Sequence, residues 1–226
     1  MTQVLSNSRR SPRMEIHPGV WLDSRLGLYL ADARILVVAD LHWGYATSHR
    51  AHGNLLPAWG DEEIAQRLHG LLIDYQPDEM IWLGDSLHTL AGAEAAEVFL
   101  RGLKTPVTVV SGNHDARWVR AKNCPFVNRA GYLLHHGDQE KETGEASREI
   151  VGHFHPAVSW QDGAGTRLKL PALVATARRL VLPAFSPWAA GVTWNPCSPG
   201  ETLYAISSKR IFTLPHTRTQ KEAETK

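Results

Sequence analysis

Three continuous apolar runs, spaced by helix-length segments, constrain this chain more than any other feature. They are Ile35-Leu36-Val37-Val38-Ala39, Met80-Ile81-Trp82-Leu83 and Val107-Thr108-Val109-Val110-Ser111. Runs without polar alternation suit strands covered on both faces. Between the first two, residues 61–75 put Ile64, Leu68, Leu71, Leu72 and Tyr75 on one helical face. Asp61, Glu62 and Glu63 favour the start of that helix, and Pro77 stops it. Ala91–Leu103 reads as a second helix. This β-α-β-α-β rhythm predicts an α/β core with helices over a sheet.

Upstream, Val20–Leu22 and Gly27–Ala31 read as an opening hairpin. Downstream, 117–127 is a short helix or loop, 131–134 a strand, 139–149 a charged loop or short helix, and 150–152 strand-like. From there the chain is mostly β, with strands at 157–160, 167–174, 179–185, 203–207 and 210–213. A second sheet packed on the first makes the expected fold a four-layer α-β-β-α sandwich of two mixed sheets flanked by helices. The polar termini, 1–13 and 216–226, read as disordered, leaving 14–215 as one domain.

Composition excludes several classes. Among the 226 residues, 43% hydrophobic and 21% charged residues are ordinary for a soluble protein with a core. A net charge of +1 gives no global basic field for nucleic acid. Two cysteines, Cys124 and Cys197, are too few for a disulfide scaffold and point to a reduced, cytoplasmic setting, each as a packed thiol. The N-terminus lacks an apolar h-region, and no run approaches a membrane span. The histidines stand out: ten of the 12 fall between His42 and His155.

They cluster where strands end. Asp40 and His42 follow the first run, Asp85 the second, and Asn113, His114 and Asp115 the third. His136 and the pair His153 and His155 follow the later strands. In open α/β sheets, ligands bind beyond the carboxyl ends of strands. Carboxylate, amide and imidazole donors together suit manganese, iron or zinc better than calcium or magnesium. One carboxylate can bridge two ions about 3.5–4 Å apart, a pair that clamps both oxygens of a phosphoryl displacement. In an extended Asp-x-His or His-x-His unit both side chains point the same way. Gly112 is expected to allow the tight turn before Asn113.

In order, Asp40-Leu41-His42, Gly84-Asp85, Gly112-Asn113-His114-Asp115, His136-Gly137 and Gly152-His153-Phe154-His155 resemble the five motifs of the calcineurin-like metallophosphoesterase superfamily. The resemblance covers 35–156. It implies a β-sandwich flanked by helices with two divalent ions, manganese first and iron, zinc or magnesium as other readings. Asp40, His42 and His155 would bind one ion, Asn113, His136 and His153 the other, with Asp85 bridging. His114 would stabilise charge or protonate the leaving oxygen, Asp115 would orient its ring, and a hydroxide between the ions would attack phosphorus in line.

Finer features, Asp40-Leu41-His42-Trp43-Gly44, His49-Arg50, Gly84-Asp85-Ser86-Leu87-His88 and Leu182-Pro183-Ala184-Phe185, are similar to the ligase-associated DNA-damage-response phosphoesterase branch, akin to ICC-like phosphoesterases. That implies a manganese-dependent nuclease on single-stranded or nicked DNA, with a DNA ligase, helicase and exonuclease as associates. The chain departs from that branch at Tyr45 and at Ser186-Pro187-Trp188.

Arg50 and His88 are candidate substrate contacts, weighed against a solvated charge and a helix-start residue. His135 reads as a neighbour or core residue beside the ligand His136. Arg117, Trp118 and Arg120 mix cations with an aromatic as single-strand surfaces do, though packing is the stronger reading of Trp118. The expected function is phosphodiester hydrolysis. Its rivals are a small-molecule phosphatase or nucleotide pyrophosphatase, and a non-catalytic interaction module on the same fold.

Overall fold

The computed structural model describes residues 11–122, 124–139, 148–161, 165, 167–194 and 200–214. Nearly all of both expected disordered termini, Cys197 and most of the 139–149 segment lie outside the described residues.

The first sheet holds β1 (Arg13–His17), β2 (Val20–Asp23), β3 (Leu28–Leu30), β4 (Ile35–Val38), β5 (Glu79–Leu83) and β6 (Val107–Val110), side by side in that order. β1 to β4 run antiparallel, and β5 and β6 continue parallel to β4. The parallel crossovers carry the helices, as parallel pairing requires. Helices α1 (Tyr45–Ala51) and α2 (Gly60–Tyr75) join β4 to β5; a 3₁₀ turn at Leu90–Gly92 and α3 (Ala93–Arg101) join β5 to β6. α2 buries Ile64, Leu68, Leu71 and Tyr75, four of the five residues expected on its inner face.

The second sheet comprises β7 (Phe126–Arg129), β8 (Tyr132–His135), β9 (Arg148–Val151), β10 (Pro156–Gln161), β11 (Arg167–Ala175), β12 (Arg179–Val181), β13 (Val192–Thr193), β14 (Thr202–Ser207) and β15 (Arg210–Thr213). Its order is β13-β10-β11-β12-β9-β8-β7, with β14 and β15 added on β11. Both sheets are mixed, as expected. Leu36, Ile81 and Leu83 of one sheet share a core with Leu134, Ile150, Leu173 and Leu180 of the other. The next residues along the second sheet, Val151, Val174 and Val181, face a separate cluster on its opposite side. That switch at each step is the two-residue period of a strand buried on both faces. What packs on that outer side includes Phe154, Leu170, Trp194 and Phe212, rather than a helix, among the described residues. None of the described helices is long and apolar enough to cross a membrane.

Strands β1, β7 and β13 add to those expected, and each is short or irregular. β1 carries a register shift between Glu15 and His17, and β13 has two exposed residues. Arg13, placed with the disordered N-terminus, starts β1.

The end of α2 is tied to β2 through one buried carboxylate. Asp23, 1% exposed, accepts hydrogen bonds from the Tyr75 hydroxyl at 2.9 Å and from Arg25 Nε at 2.8 Å. Burial beside this carboxylate pushes the Tyr75 phenol up. Arg25 also pairs with Asp74 at 2.8 Å. Replacing Asp23 with Ala leaves a largely buried guanidinium and a hydroxyl without that partner. In urea denaturation, Asp23→Ala should lower stability by about 3 kcal/mol and Tyr75→Phe by about 1 kcal/mol. Equal losses would show that the ion pair adds nothing to the hydroxyl bond.

Candidate metal centre

Five strands deliver the expected donors. β4, β5 and β6 are mutually parallel, and so are β8 and β9, so their carboxyl ends gather in two sets. Asp40, Asp85, Asn113, His136 and His153 follow those ends by one to three residues. A shared neighbour brings the two sets together: the segment after β12 donates from Phe185 N to Ala39 O at 2.8 Å and from Ser186 N to Asp40 O at 3.1 Å.

The local backbone differs from the extended units expected for Asp-x-His and His-x-His. Asp40, His42, Asp85, His153 and His155 all have positive φ, at 55, 48, 43, 68 and 45°. Asp40 and His42 reach one donor group, and His153 and His155 two neighbouring ones, from left-handed backbone rather than from a pleat. Left-handed backbone costs an L-residue about 1–2 kcal/mol, and such strain persists only where its surroundings enforce it.

Glycines do much of the enforcing. A Cβ on Gly84 would lie 2.2 Å from His136 Nδ1, and one on Gly152 2.6 Å from Asp40 Oδ2. A Cβ on Gly112 would sit 2.3 Å from both the backbone N and Oδ1 of Asp85. Gly112 does not have positive φ; its part is close approach, where a tight turn was expected.

Two groups of donor atoms, each within 4.8 Å of one another, hold the expected ligands: Asp40, His42 and His155; and Asp85, His136 and His153; a third joins His42 to His88 and His114. In the first, His155 Nε2 lies 3.3 Å from Asp40 Oδ1, and His153 N–H donates to Asp40 Oδ2 at 2.9 Å. In the second, His136 Nε2 stands 3.1 Å from Asn113 Oδ1, 3.1 Å from His153 Nδ1 and 3.3 Å from Asp85 Oδ2. Thus all seven expected ligands are brought together, four around His136 and three around Asp40.

The donor set fits cations. A single hydrogen on His136 Nε2 cannot satisfy two oxygens and the lone pair of another imidazole, whereas a cation among them can. His42 Nδ1, His136 Nδ1 and His155 Nε2 are buried without hydrogen-bond partners. Burial lowers the His42 pKa to about 3, so that ring is neutral and keeps a lone pair at neutral pH. Burial pushes Asp85 up, but the His136 ring and the His114 N–H and ring more than offset it, holding Asp85 at about 2. Burial also opposes charge on His136, yet Asp85 and Asp40 raise its proton affinity. Positive charge is stabilised where those three side chains meet.

His114 borders both groups. Its Nδ1–H donates to the His88 carbonyl at 2.8 Å, which leaves Nε2 toward Asp85 Oδ2 at 4.0 Å. Asp115 therefore does not orient that ring as expected. Its fully buried carboxylate accepts from the backbone N–H groups of Ser86 at 3.0 Å, Leu87 at 3.0 Å and Gly112 at 3.2 Å. It fastens the loop after β5 to the loop after β6. Burial outweighs these donors and lifts its pKa to about 6.

His88 reaches the site through its ring as well as its carbonyl. It stacks on His114 at 5.5 Å and meets His42 edge-on at 5.9 Å. Sequence reasoning had named its ring and missed its carbonyl. Arg50 lies on α1 and donates to the Leu56 carbonyl at 3.0 Å; no described contact joins it to the donor atoms. Trp118 is packed at 4% exposure, and Arg120 pairs with Glu97 at 2.7 Å, so the suggested single-strand surface there does not form. His135 is buried near Glu149, the core alternative.

The glycine contacts make a prediction that leaves every donor in place. Gly112→Ala should weaken Mn²⁺ binding about tenfold or more by titration calorimetry, because Asp85 must move. Mn²⁺ should raise the melting temperature of the unaltered protein and leave that of Asp85→Asn nearly unchanged. Binding by Gly112→Ala equal to that of the unaltered protein would remove the close-approach role.

A crystal structure of the Pseudomonas putida nuclease MPE superposes with a TM-score of 0.68 at 26% identity, covering 90% of this chain and 100% of that one. Yfce, a phosphoesterase from E. coli, gives a TM-score of 0.41 at 16% identity, covering 75% and 86%. No curated protein matches. The calcineurin-like phosphoesterase profile matches residues 33–196, which hold every donor described above. The chain belongs to the calcineurin-like phosphoesterase family.

Proposed function

We propose that this protein hydrolyses phosphodiester bonds, DNA among them, using two divalent ions with manganese the working pair. The observation that carries this is the convergence of two donor groups beside His114 Nε2. Asp40, His42 and His155 would hold one ion, and Asn113, His136 and His153 the other. Asp85 would be shared, since its carboxylate lies in the second group and its charge is felt by His42 of the first. When bound, the ions would supply Lewis acidity at phosphorus and a nucleophile at neutral pH.

The chain's own residues do the rest. The His88 carbonyl fixes the His114 tautomer with hydrogen on Nδ1. Nε2 can then carry a proton to a leaving oxygen as an imidazolium, or accept one as a neutral ring. Asp115 positions the loop bearing Asp85 against the loop bearing Asn113 and His114. A cavity of about 370 Å³ opens beside His155, with Arg67 and Lys169 in its lining. It provides room for the second arm of a diester, which a monoester lacks, with Lys169 as its cation, since Arg67 is paired with Glu63. The likeness to a structure described as a nuclease supports the same reading. A repair role, a cytoplasmic location and association with a DNA ligase, helicase and exonuclease belong to this proposal, on the strength of the motif resemblance.

The test compares substrates in added Mn²⁺. Single-stranded oligonucleotide and bis-p-nitrophenyl phosphate should turn over, and mononucleotides and phosphomonoesters much less. Asp85→Asn should abolish turnover of both diesters. His114→Ala should slow the oligonucleotide about 100-fold or more and the nitrophenyl ester less, because nitrophenolate leaves without a proton. Undiminished activity in both variants would overturn the assignment; preference for monoesters would favour the small-molecule phosphatase.

A further inference from the structure

A continuous row of rings leads from the candidate metal centre to the surface, and three separate segments build it. His88 stacks on His114 at 5.5 Å and meets Tyr45 at 4.6 Å. Tyr45, at the start of α1, lies nearly parallel to Trp188 at 5.6 Å and 15°. Trp188, in the segment after β12, stacks on Trp59 at 4.8 Å and 28°. His49 closes the near end, 4.4 Å from Tyr45 and 5.4 Å from His88. Each step falls in the range of ring pairs in contact.

The row is built into the backbone. Gly60 lets Trp188 come close: a Cβ there would lie 2.0 Å from the indole Nε1. Gly44, which opens α1, donates its N–H to Asp61 Oδ1 at 2.9 Å and so ties α1 to the start of α2. The row ends in the open. Trp59 is 45% exposed although it stacks on another indole. The neighbouring carboxylates are engaged: Asp61 with Gly44, Glu62 with Gln66, and Glu63 with Arg67. Arg50, exposed on α1, supplies a cation on the same helix as Tyr45.

We propose that Trp59, backed by Trp188 and Tyr45 and exposed at the outer end of this row, is a base-stacking platform for single-stranded nucleic acid beside the metal centre. This deepens and rests on the phosphodiesterase reading. Every base offers a π-face, so stacking on exposed aromatic rings holds a strand without reading its sequence. Duplex bases are already stacked on one another and cannot use the row. Bases, rather than phosphates, are the groups it recognises, in keeping with a chain whose net charge is only +1.

The test measures binding without chemistry. Full-length protein in EDTA is titrated against fluorescein-labelled oligothymidylate and an abasic strand of equal length, followed by anisotropy. The unaltered protein should bind the thymidylate more tightly than the abasic strand. Trp59→Ala should weaken thymidylate binding about tenfold, within the cost of one lost base–aromatic stack, and leave abasic binding unchanged. Trp59→Phe, which keeps a ring, should restore most of the difference. Equal binding of the two strands by the unaltered protein, or an intact difference in Trp59→Ala, would overturn the subsite. Turnover of bis-p-nitrophenyl phosphate by the unaltered protein reports on the phosphodiesterase reading separately, since the anisotropy experiment involves no cleavage.

Discussion

The Asp115 carboxylate holds the backbone N–H groups of Ser86, Leu87 and Gly112, and through them the loops carrying Asp85, Asn113 and His114. Three donors on one buried carboxylate join the two loops, and losing that carboxylate would leave three backbone N–H groups without their acceptor. The joint brings Gly112 against Asp85, whose Oδ1 then accepts the His114 N–H at 2.9 Å. The second sheet meets this assembly through Gly152 against Asp40 and His136 against Gly84. None of these approaches leaves room for a side chain. The donors are placed by glycine backbones packed closely against the donor residues themselves.

That placement works against local preference. Five donors sit in left-handed backbone, at about 1–2 kcal/mol each. A whole domain is stable by only about 5–15 kcal/mol, so the centre consumes a real fraction of what the core provides. The core's design explains how this is sustained. Leu36, Val38, Ile81, Leu83, Ile150 and Leu173 are fully buried, and the second sheet buries apolar residues on its other face as well. Dense packing anchors the strands, and the strained residues lie just past their ends, where a turn is already needed.

Much of this was legible in the sequence, for an identifiable reason. Apolar runs are local signals, so the strands β4 to β6 and the helix α2 could be named from short stretches, while the seven donors were named by the order of five motifs along the chain. What escaped depends on contacts far apart in the chain. Nothing near Asp115 reveals that two of its three partners are N–H groups 28 and 29 residues earlier. Glycine 112 looked like a turn-former because the carboxylate it touches belongs to another strand end. Tyr45 and Ser186-Pro187-Trp188 stood as two unrelated departures from a motif pattern, yet the fold stacks Tyr45 on Trp188. Trp118 is core, the stronger of its two readings, while the surface suggested by its basic neighbours is absent among the described residues. Exposure is a tertiary property that composition around a tryptophan does not supply.

The left-handed backbone at Asp40, His42, Asp85, His153 and His155 also bears on how such a chain changes over time. Each is a position where glycine would relax the main chain, removing a donor and a strain together. Without bound ions, selection for thermal robustness alone would therefore favour loss at His42, His153 and His155, whereas Asp40 and Asp85 also accept backbone N–H groups. Only continued demand for what the donors hold opposes that pull, as expected where stability and activity trade against each other. Lineages freed from that demand should shed these positions before the apolar strands behind them, leaving a sturdier sandwich with an inert edge.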